Sequence, residues 1–300
     1  MVRSAHYAFQ TVSPGVTAAV SRPGGAGLSN SGIVDLGGGC LVFDTSLNPM
    51  AAADLLAAAK HRTGREPSVA ANSHWHLDHI LGNQVFAPSP IYATRVTREV
   101  LVRQRRKLLA ELRPRTLAKD VRKLERMLEG ARSPAARRYL RTIVNVNRAL
   151  LEVAPRIRWT PPTRTFERRV RLPGTRAAEL LSFGSGHTAS DAVLFLPHER
   201  ILFGGDLIVT GHHPNLTSGD PEHWRIVLAR LAALRPEAIV PGHGPVGSAE
   251  AIDAMEEYLR TVIELAREKG PDEIPRPFRV WAWPDQFEEN MKFLRARRAT

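Results

Sequence analysis

Val69-Ala70-Ala71-Asn72-Ser73-His74-Trp75-His76-Leu77-Asp78-His79 runs from a short apolar strand pattern directly into a cluster of potential metal ligands. His74, His76, Asp78 and His79 fall within six residues, and three imidazoles so close together make poor core filler and a poor surface. One ion can rarely use all four from so short a loop, so the spacing suggests two metals. Three further candidates follow other predicted strands. His187 sits in Gly186-His187-Thr188 after a strand ending at Phe183, Asp206 follows Gly204-Gly205 after Ile201 to Phe203, and His243 lies in Pro241-Gly242-His243-Gly244 after Val240. Each falls at the carboxyl end of its strand, where α/β proteins assemble sites.

Outward from the cluster the chain alternates strand and helix. Residues 11 to 45 carry β-branched and small residues broken by Pro23-Gly24-Gly25 and Gly37-Gly38-Gly39, which predicts successive antiparallel strands. Pro49 opens an Ala/Leu-rich helix that runs to Lys60, with proline where its missing N–H is harmless. From Thr94 to about Pro155 the period is helical only: Val121, Leu124, Leu128 and then Leu140, Ile143, Val144 and Leu151, with breaks at Pro114 and Ser133-Pro134. Two or three amphipathic helices are therefore expected as an insert over residues 95–158 in one α/β domain spanning 1–300. Strands resume at Leu180–Phe183, Ala192–Leu196, Ile201–Phe203 and Ala238–Val240, with helices at Glu222–Leu234 and Ser248–Lys269. A C-terminal tail, 271–300, is expected to pack on the core through Trp281, Trp283 and Phe287 ahead of a short basic helix.

Composition bounds the function. With 43% hydrophobic and 24% charged residues over 300 positions the chain is globular, and one cysteine, Cys40, excludes an intrachain disulfide or a cysteine zinc cluster. By strand periodicity Cys40 is a buried thiol. The first twenty residues lack the apolar core of a signal peptide, and no window offers roughly 18 uninterrupted apolar residues, so a cytoplasmic protein without a membrane span is expected. The net charge of +12 is concentrated: residues 95–158 hold 19 Lys and Arg against 6 Asp and Glu, while the remainder is close to neutral.

The ordered set His-x-His-x-Asp-His, Gly-His-Thr, Asp206 and Pro-Gly-His-Gly resembles the metallo-β-lactamase-fold hydrolase superfamily, over about residues 10–250 apart from the insert. The resemblance implies an αββα four-layer sandwich carrying a basic helical insert. It implies that His74, His76 and His187 bind one metal, that Asp78, His79 and His243 bind a second, and that Asp206 bridges them. Asp44, ending the strand beforehand, matches the acidic residue that orients the ligand loop. Asp206 departs from the true di-zinc β-lactamases. The glutathione-thioester hydrolases share all seven ligands, but their basic helices follow the last ligand. Quorum-signal lactonases carry a tyrosine shortly after the bridging aspartate, where this chain has Leu207-Ile208-Val209-Thr210. The general look, with Asp191 closing Gly-His-Thr-x-x-Asp, is that of uncharacterised hydrolases similar to the quinoprotein-relay zinc metallohydrolases.

The chemistry expected of such a site is hydrolysis. Two divalent ions about 3.5 to 4 Å apart hold a bridging water and lower its pKa towards about 7, supplying hydroxide at neutral pH. Nitrogen and oxygen donors favour zinc, with manganese and iron compatible. The expected substrates are small carboxylic esters, lactones or thioesters; phosphodiester or nucleic-acid cleavage using the basic insert, and β-lactam-like amide hydrolysis, are the alternatives. Asp78 is a candidate proton carrier beside its ligand role, and His212 and His213 are candidate substrate contacts. The insert reads as a lid, a dimer surface or an anion clamp. Nucleic acid is disfavoured because only Tyr139 and Trp159 offer stacking near it. A polyanion-binding protein with a structural metal is the non-enzymatic alternative, and a bridged pair of ions is more than such a module needs.

Overall fold

The computed structural model describes residues 2–132, 134–268 and 273–298. The first sheet begins as an antiparallel meander, β1 (Tyr7–Ser13), β2 (Val16–Ser21), β3 (Ser31–Asp35) and β4 (Cys40–Phe43). Helix α1 (Pro49–Thr63) crosses back to β5 (Pro67–Ala71), parallel to β4. The short helices α2 (Leu77–Ile80) and α3 (Asn83–Phe86) then lead to β6 (Ile91–Thr94). The insert follows as α4 (Arg95–Arg103), α5 (Arg105–Glu111), α6 (Pro114–Gly130) and α7 (Pro134–Val153), after which β7 (Arg164–Phe166) closes the seven-stranded sheet. The second sheet has five strands: β8 (Arg169–Arg171), β9 (Glu179–Leu181), β10 (Val193–Leu196), β11 (Ile201–Val209) and, after α8 (Pro221–Ala233), the parallel β12 (Ala238–His243). Helices α9 (Glu250–Arg267) and α10 (Pro284–Arg298) complete the chain.

Strand periodicity explains the layers. Alternate residues of the first sheet, Val16, Ala18, Val34, Leu41, Phe43 and Val69, meet Leu180, Leu194, Leu196 and Phe203 of the second in one buried cluster between the sheets. The intervening residues Ile33, Cys40, Val42 and Ala70 face outward onto Ala51, Ala52, Leu55, Ala58 and Ala59 of α1, whose small side chains let the helix lie close. On the far side, α8, α9 and α10 bury Trp224, Leu228, Met255, Leu259, Phe287 and Met291 against the second sheet. Each sheet is thus covered by helix on its outer face, and the architecture is an αββα sandwich. Cys40 is fully buried, and burial pushes its thiol up to about 11, as fits an inert packing role.

Several elements differ from the sequence expectation. The insert is four helices because, besides the breaks before Pro114 and Pro134, α4 and α5 are separated at Gln104, where no proline stands. The three-residue strands β7 and β8, rich in arginine, carry no apolar alternation to announce them. Strand β11 continues past Phe203 to Val209, so Asp206 lies inside a strand. Gly205 makes this possible by adopting φ +51° at a register shift, and a Cβ there would stand 2.6 Å from the Ser73 Cβ. His243 is likewise the last residue of β12. Phe287 is part of α10 rather than preceding it. Ser133, Lys269 and the tail positions 271, 272, 299 and 300 lie outside the described residues.

Gly32 of β3 faces the Phe203 ring across the sandwich, where a Cβ would come within 2.5 Å of Cε1. Gly32→Ala therefore overpacks the core, and we expect it to cost about 1–3 kcal/mol, read as an earlier midpoint in chemical denaturation. An unchanged midpoint would mean that the two sheets are not in contact here.

Candidate metal centre

The ligand loop is held by buried polar groups at the carboxyl ends of β4 and β5. Asp44, directly after β4, takes φ +57°, and its carboxylate accepts from the Ser73 N–H (2.7 Å), the Ser73 hydroxyl (2.8 Å) and Nδ1 of His79 (2.8 Å). With its proton given to Asp44, the Ser73 hydroxyl accepts from His74 Nδ1 at 2.9 Å. These bonds tie Nδ1 of both rings and make Nε2 the atom that His74 and His79 can offer to a cation. Below the loop, Asn72 donates to the His79 carbonyl (2.9 Å) and pairs with Asn83, which also accepts from the Thr45 hydroxyl. Ser29 fixes the Asp78 carbonyl at 2.6 Å.

The other candidates come from the second sheet. His187 stands in a turn tied by Asp191, which accepts from the Thr188 N–H and hydroxyl, and its ring packs edge-on against Trp224 at 5.4 Å. Trp224 is itself anchored to the Leu207 carbonyl. Burial raises the Asp191 carboxyl to about 7 despite the Thr188 bonds. Asp206 and His243 meet because β11 and β12 run parallel, and Gly242 keeps the approach open: a Cβ there would overlap the Asp206 carboxylate.

The seven residues converge as two groups, His74, His76, His187 and Asp206, and Asp78, His79 and His243, with candidate donor atoms inside each group no more than 4.8 Å apart. The Asp206 carboxylate lies between the groups, 3.4 Å from His187 Nε2 and from His243 Nε2, and 3.2 Å from His79 Nε2. Asp78 Oδ2 stands 3.3 Å from His243 Nε2 and 3.4 Å from His79 Nε2. The donor set fits divalent metal ions. Among the described residues His74 Nε2, His79 Nε2 and Asp206 Oδ1 are buried without a hydrogen-bond partner, which is costly unless a cation satisfies them. His76 Nε2 lies 3.1 Å from the Ser218 hydroxyl, and its Nδ1 lies 2.9 Å from His187 Nε2.

Electrostatics separates the histidines. Burial holds His74 far below the ordinary histidine range and lowers His76 to about 4 and His187 to about 3, so all three are neutral at pH 7. Burial acts the same way on His243 and His79, but the Asp206 and Asp78 carboxylates outweigh it, raising His243 to about 9 and His79 well above its usual value. Burial would lift Asp206 and Asp78 in turn, yet the same histidines keep both ionised.

Of the two candidate substrate contacts, His212 lines a cavity of about 940 Å3 together with His243 and Trp283. Its Nδ1–H donates to the Thr210 carbonyl (2.7 Å), and burial lowers it to about 4. Nε2 is thus an acceptor at neutral pH. His213 is not in the cavity wall: it is fully buried, bonded to the Tyr258 hydroxyl (3.1 Å) and packed against Trp281 and Phe287. Trp283, expected to be core, stands 5.0 Å from His243 and 4.6 Å from His212, ring to ring. The tail reaches it because Ala282 bridges to His212 and exchanges backbone bonds with Gly211 and His213. Sequence reasoning missed Ser218, which has no motif, and Ser73, whose one signal is its place directly before His74.

A family model described as the metallo-beta-lactamase superfamily matches residues 24–243. The metallo-beta-lactamase type 2 of Bacteroides fragilis is 34% identical over 86 residues, 27% of this chain and 34% of that protein. The match thus spans about a third of the curated relative's length. The solved metallo-beta-lactamase from Pontibacter korlensis superposes with a TM-score of 0.60 at 20% identity, over 85% of this chain and 99% of that one. The DIM-1 metallo-beta-lactamase gives 0.60 at 18% identity, covering 85% and 98%. These structural likenesses show the fold.

Because His243 and His79 carry protons that a cation must displace, metal affinity is linked to pH. Folded-state values raised above the ordinary histidine range mean that protons are released on binding throughout neutral pH. Apparent affinity for a divalent ion should climb at least about tenfold per pH unit from 6.5 to 8.5 and flatten near 9, with the released protons counted by calorimetry in two buffers. An affinity independent of pH would exclude His243 and His79 from the site. Asp44→Asn should weaken metal retention about 10- to 100-fold.

Proposed function

The chain belongs to the metallo-β-lactamase superfamily, and from that membership we propose that it is a dinuclear, zinc-dependent hydrolase of small carboxylic esters, lactones or thioesters. The observation that carries the two-metal reading is the Asp206 carboxylate, within 3.4 Å of histidines from both ligand groups. Divalent ions there would supply two things: a lowered pKa for water and polarisation of the scissile carbonyl. His74, His76 and His187 would hold one ion and Asp78, His79 and His243 the other, with Asp206 shared between them.

The protein's own groups do the rest. Asp44 and Ser73 hold Nδ1 of His79 and of His74, and so the direction of each Nε2. Asp78 is the more exposed of the two carboxylates, with 15% of its side chain accessible against 9% for Asp206. It is therefore placed to carry a proton from the attacking water to the leaving oxygen or sulfur. Trp283 and His212 form a wall beside His243 that orients the acyl group.

The helical insert serves as a cap. Leu112, Leu117, Val146 and Leu150 bury themselves against Leu47, Leu77 and Leu81 beside the ligand loop, and the Thr97 hydroxyl bonds the Ser190 carbonyl near His187. Its apolar face is spent within the chain, which supports a cap over a dimer surface. A largely apolar cavity under that cap favours acyl substrates over nucleic acid. The identity to the Bacteroides fragilis enzyme favours β-lactam hydrolysis as a second reading.

Protein purified without added metal should hold about two zinc ions per chain and turn over an aryl ester, a lactone or a thioester, with little activity on a cephalosporin or a phosphodiester. Cephalosporin turnover dominating that panel would replace the acyl reading with the lactamase one. Asp206→Asn should lower kcat/KM at least about 100-fold and reduce metal content. Full activity in that variant would refute the bridged pair.

A further inference from the structure

The arginines of the insert take no part in the chemistry above, yet the cavity beside His243 ends among them. One face of α7 forms its long wall, from Arg138 through Thr142 and Ile143 to Val146. Val146 packs with Leu28 and Leu81 next to the ligand loop, so it marks the inner end, and Arg138 lies about 12 Å further out along the helix. Leu28, Ile143, Val146, Trp281 and Trp283 make the intervening lining apolar. A second cleft of about 330 Å3 shares Pro23, Arg138 and Thr142 with the cavity and adds Arg137 and Arg141.

These three arginines are exposed and sit on one face at i, i+3 and i, i+4 spacing. Among the described residues no carboxylate lies within ion-pair distance of Arg138 or Arg141, whereas Arg148 on the same helix pairs with Glu125. They also occupy the first two turns of a helix that begins at Pro134, where the helix dipole disfavours cations. Like charges stacked at the wrong end of a helix weaken it, and a bound anion reverses that penalty.

We propose that the site takes amphiphilic acyl substrates: an apolar chain lies along α7, and an anionic head, carboxylate or phosphate, is held by Arg137, Arg138 and Arg141. The place of the scissile carbonyl beside His243 rests on the acyl-hydrolase reading; the chain and head-group sites stand on the cavity alone.

The test is binding, read by Trp281 and Trp283 fluorescence, of octyl phosphate, octanoate, octanol and inorganic phosphate. Octyl phosphate or octanoate should bind at least about tenfold tighter than octanol, and inorganic phosphate more weakly than octyl phosphate. Which of the two anions binds better identifies the head group. Arg138→Ala with Arg141→Ala should erase the preference over octanol, while Arg122→Ala with Arg126→Ala, equal in charge but on α6 outside both clefts, should preserve it. Equal binding of anion and alcohol, equal loss in both double variants, or inorganic phosphate binding as tightly as octyl phosphate would overturn the proposal. Anion preference without turnover of any acyl substrate would sink the hydrolase reading and leave the amphiphile site standing; ester turnover without anion preference would do the reverse.

Discussion

One buried carboxylate organises the centre. Asp44 lies almost wholly out of solvent with three donors aimed at it, and each bond acts on the ligand loop: the Ser73 backbone, the Ser73 hydroxyl and the His79 ring. A charge buried there is tolerable only while all three are made. The loop is therefore locked before any cation arrives, with Nδ1 of His74 and of His79 tied back to Ser73 and Asp44. The left-handed backbone at Asp44 is part of the same device, since it turns the residue off the strand axis and under the loop.

The candidate ligands that converge in the structure were legible in the sequence because metal chemistry restricts residue type and spacing more tightly than packing does. Three histidines and an aspartate in six positions have few other uses, and Gly-His-Thr and Pro-Gly-His-Gly mark turns after strands. What was not legible is mostly backbone geometry. Gly204-Gly205 reads as a strand end, yet Gly205 lets the strand bulge past Ser73 and run on through Asp206. Nothing in the composition of Arg164-Thr165-Phe166 or Arg169-Val170-Arg171 separates a short edge strand from a loop. Adjacent histidines also cannot be told apart by pattern: His212 joins the cavity and His213 the aromatic cluster, because consecutive residues of an extended segment point to opposite sides.

The insert reconciles two properties that compete in a single segment. Its net charge belongs to exposed faces, while its leucines and valines reach inward to Leu77 and Leu81. Asn48 both caps α1 and bonds the Ala149 carbonyl of α7, and Asn83 bonds the Thr160 carbonyl. The carboxyl-terminal end of the insert is thus fastened to the ligand side of the first sheet.

The ligands are spread along the chain from His74 to His243, and the cavity wall is finished by Trp283. A ribosome adding about 5–20 residues per second needs roughly ten to thirty seconds between the first histidine cluster and the last ligand. During that interval the nascent chain exposes His74, His76 and His79 without their partners from the second sheet. Because those partners come only from the carboxyl-terminal half, the full set of candidate ligands belongs to the completed polypeptide, and a chain released early carries the conspicuous histidine cluster but neither the Asp206 carboxylate nor the aromatic wall.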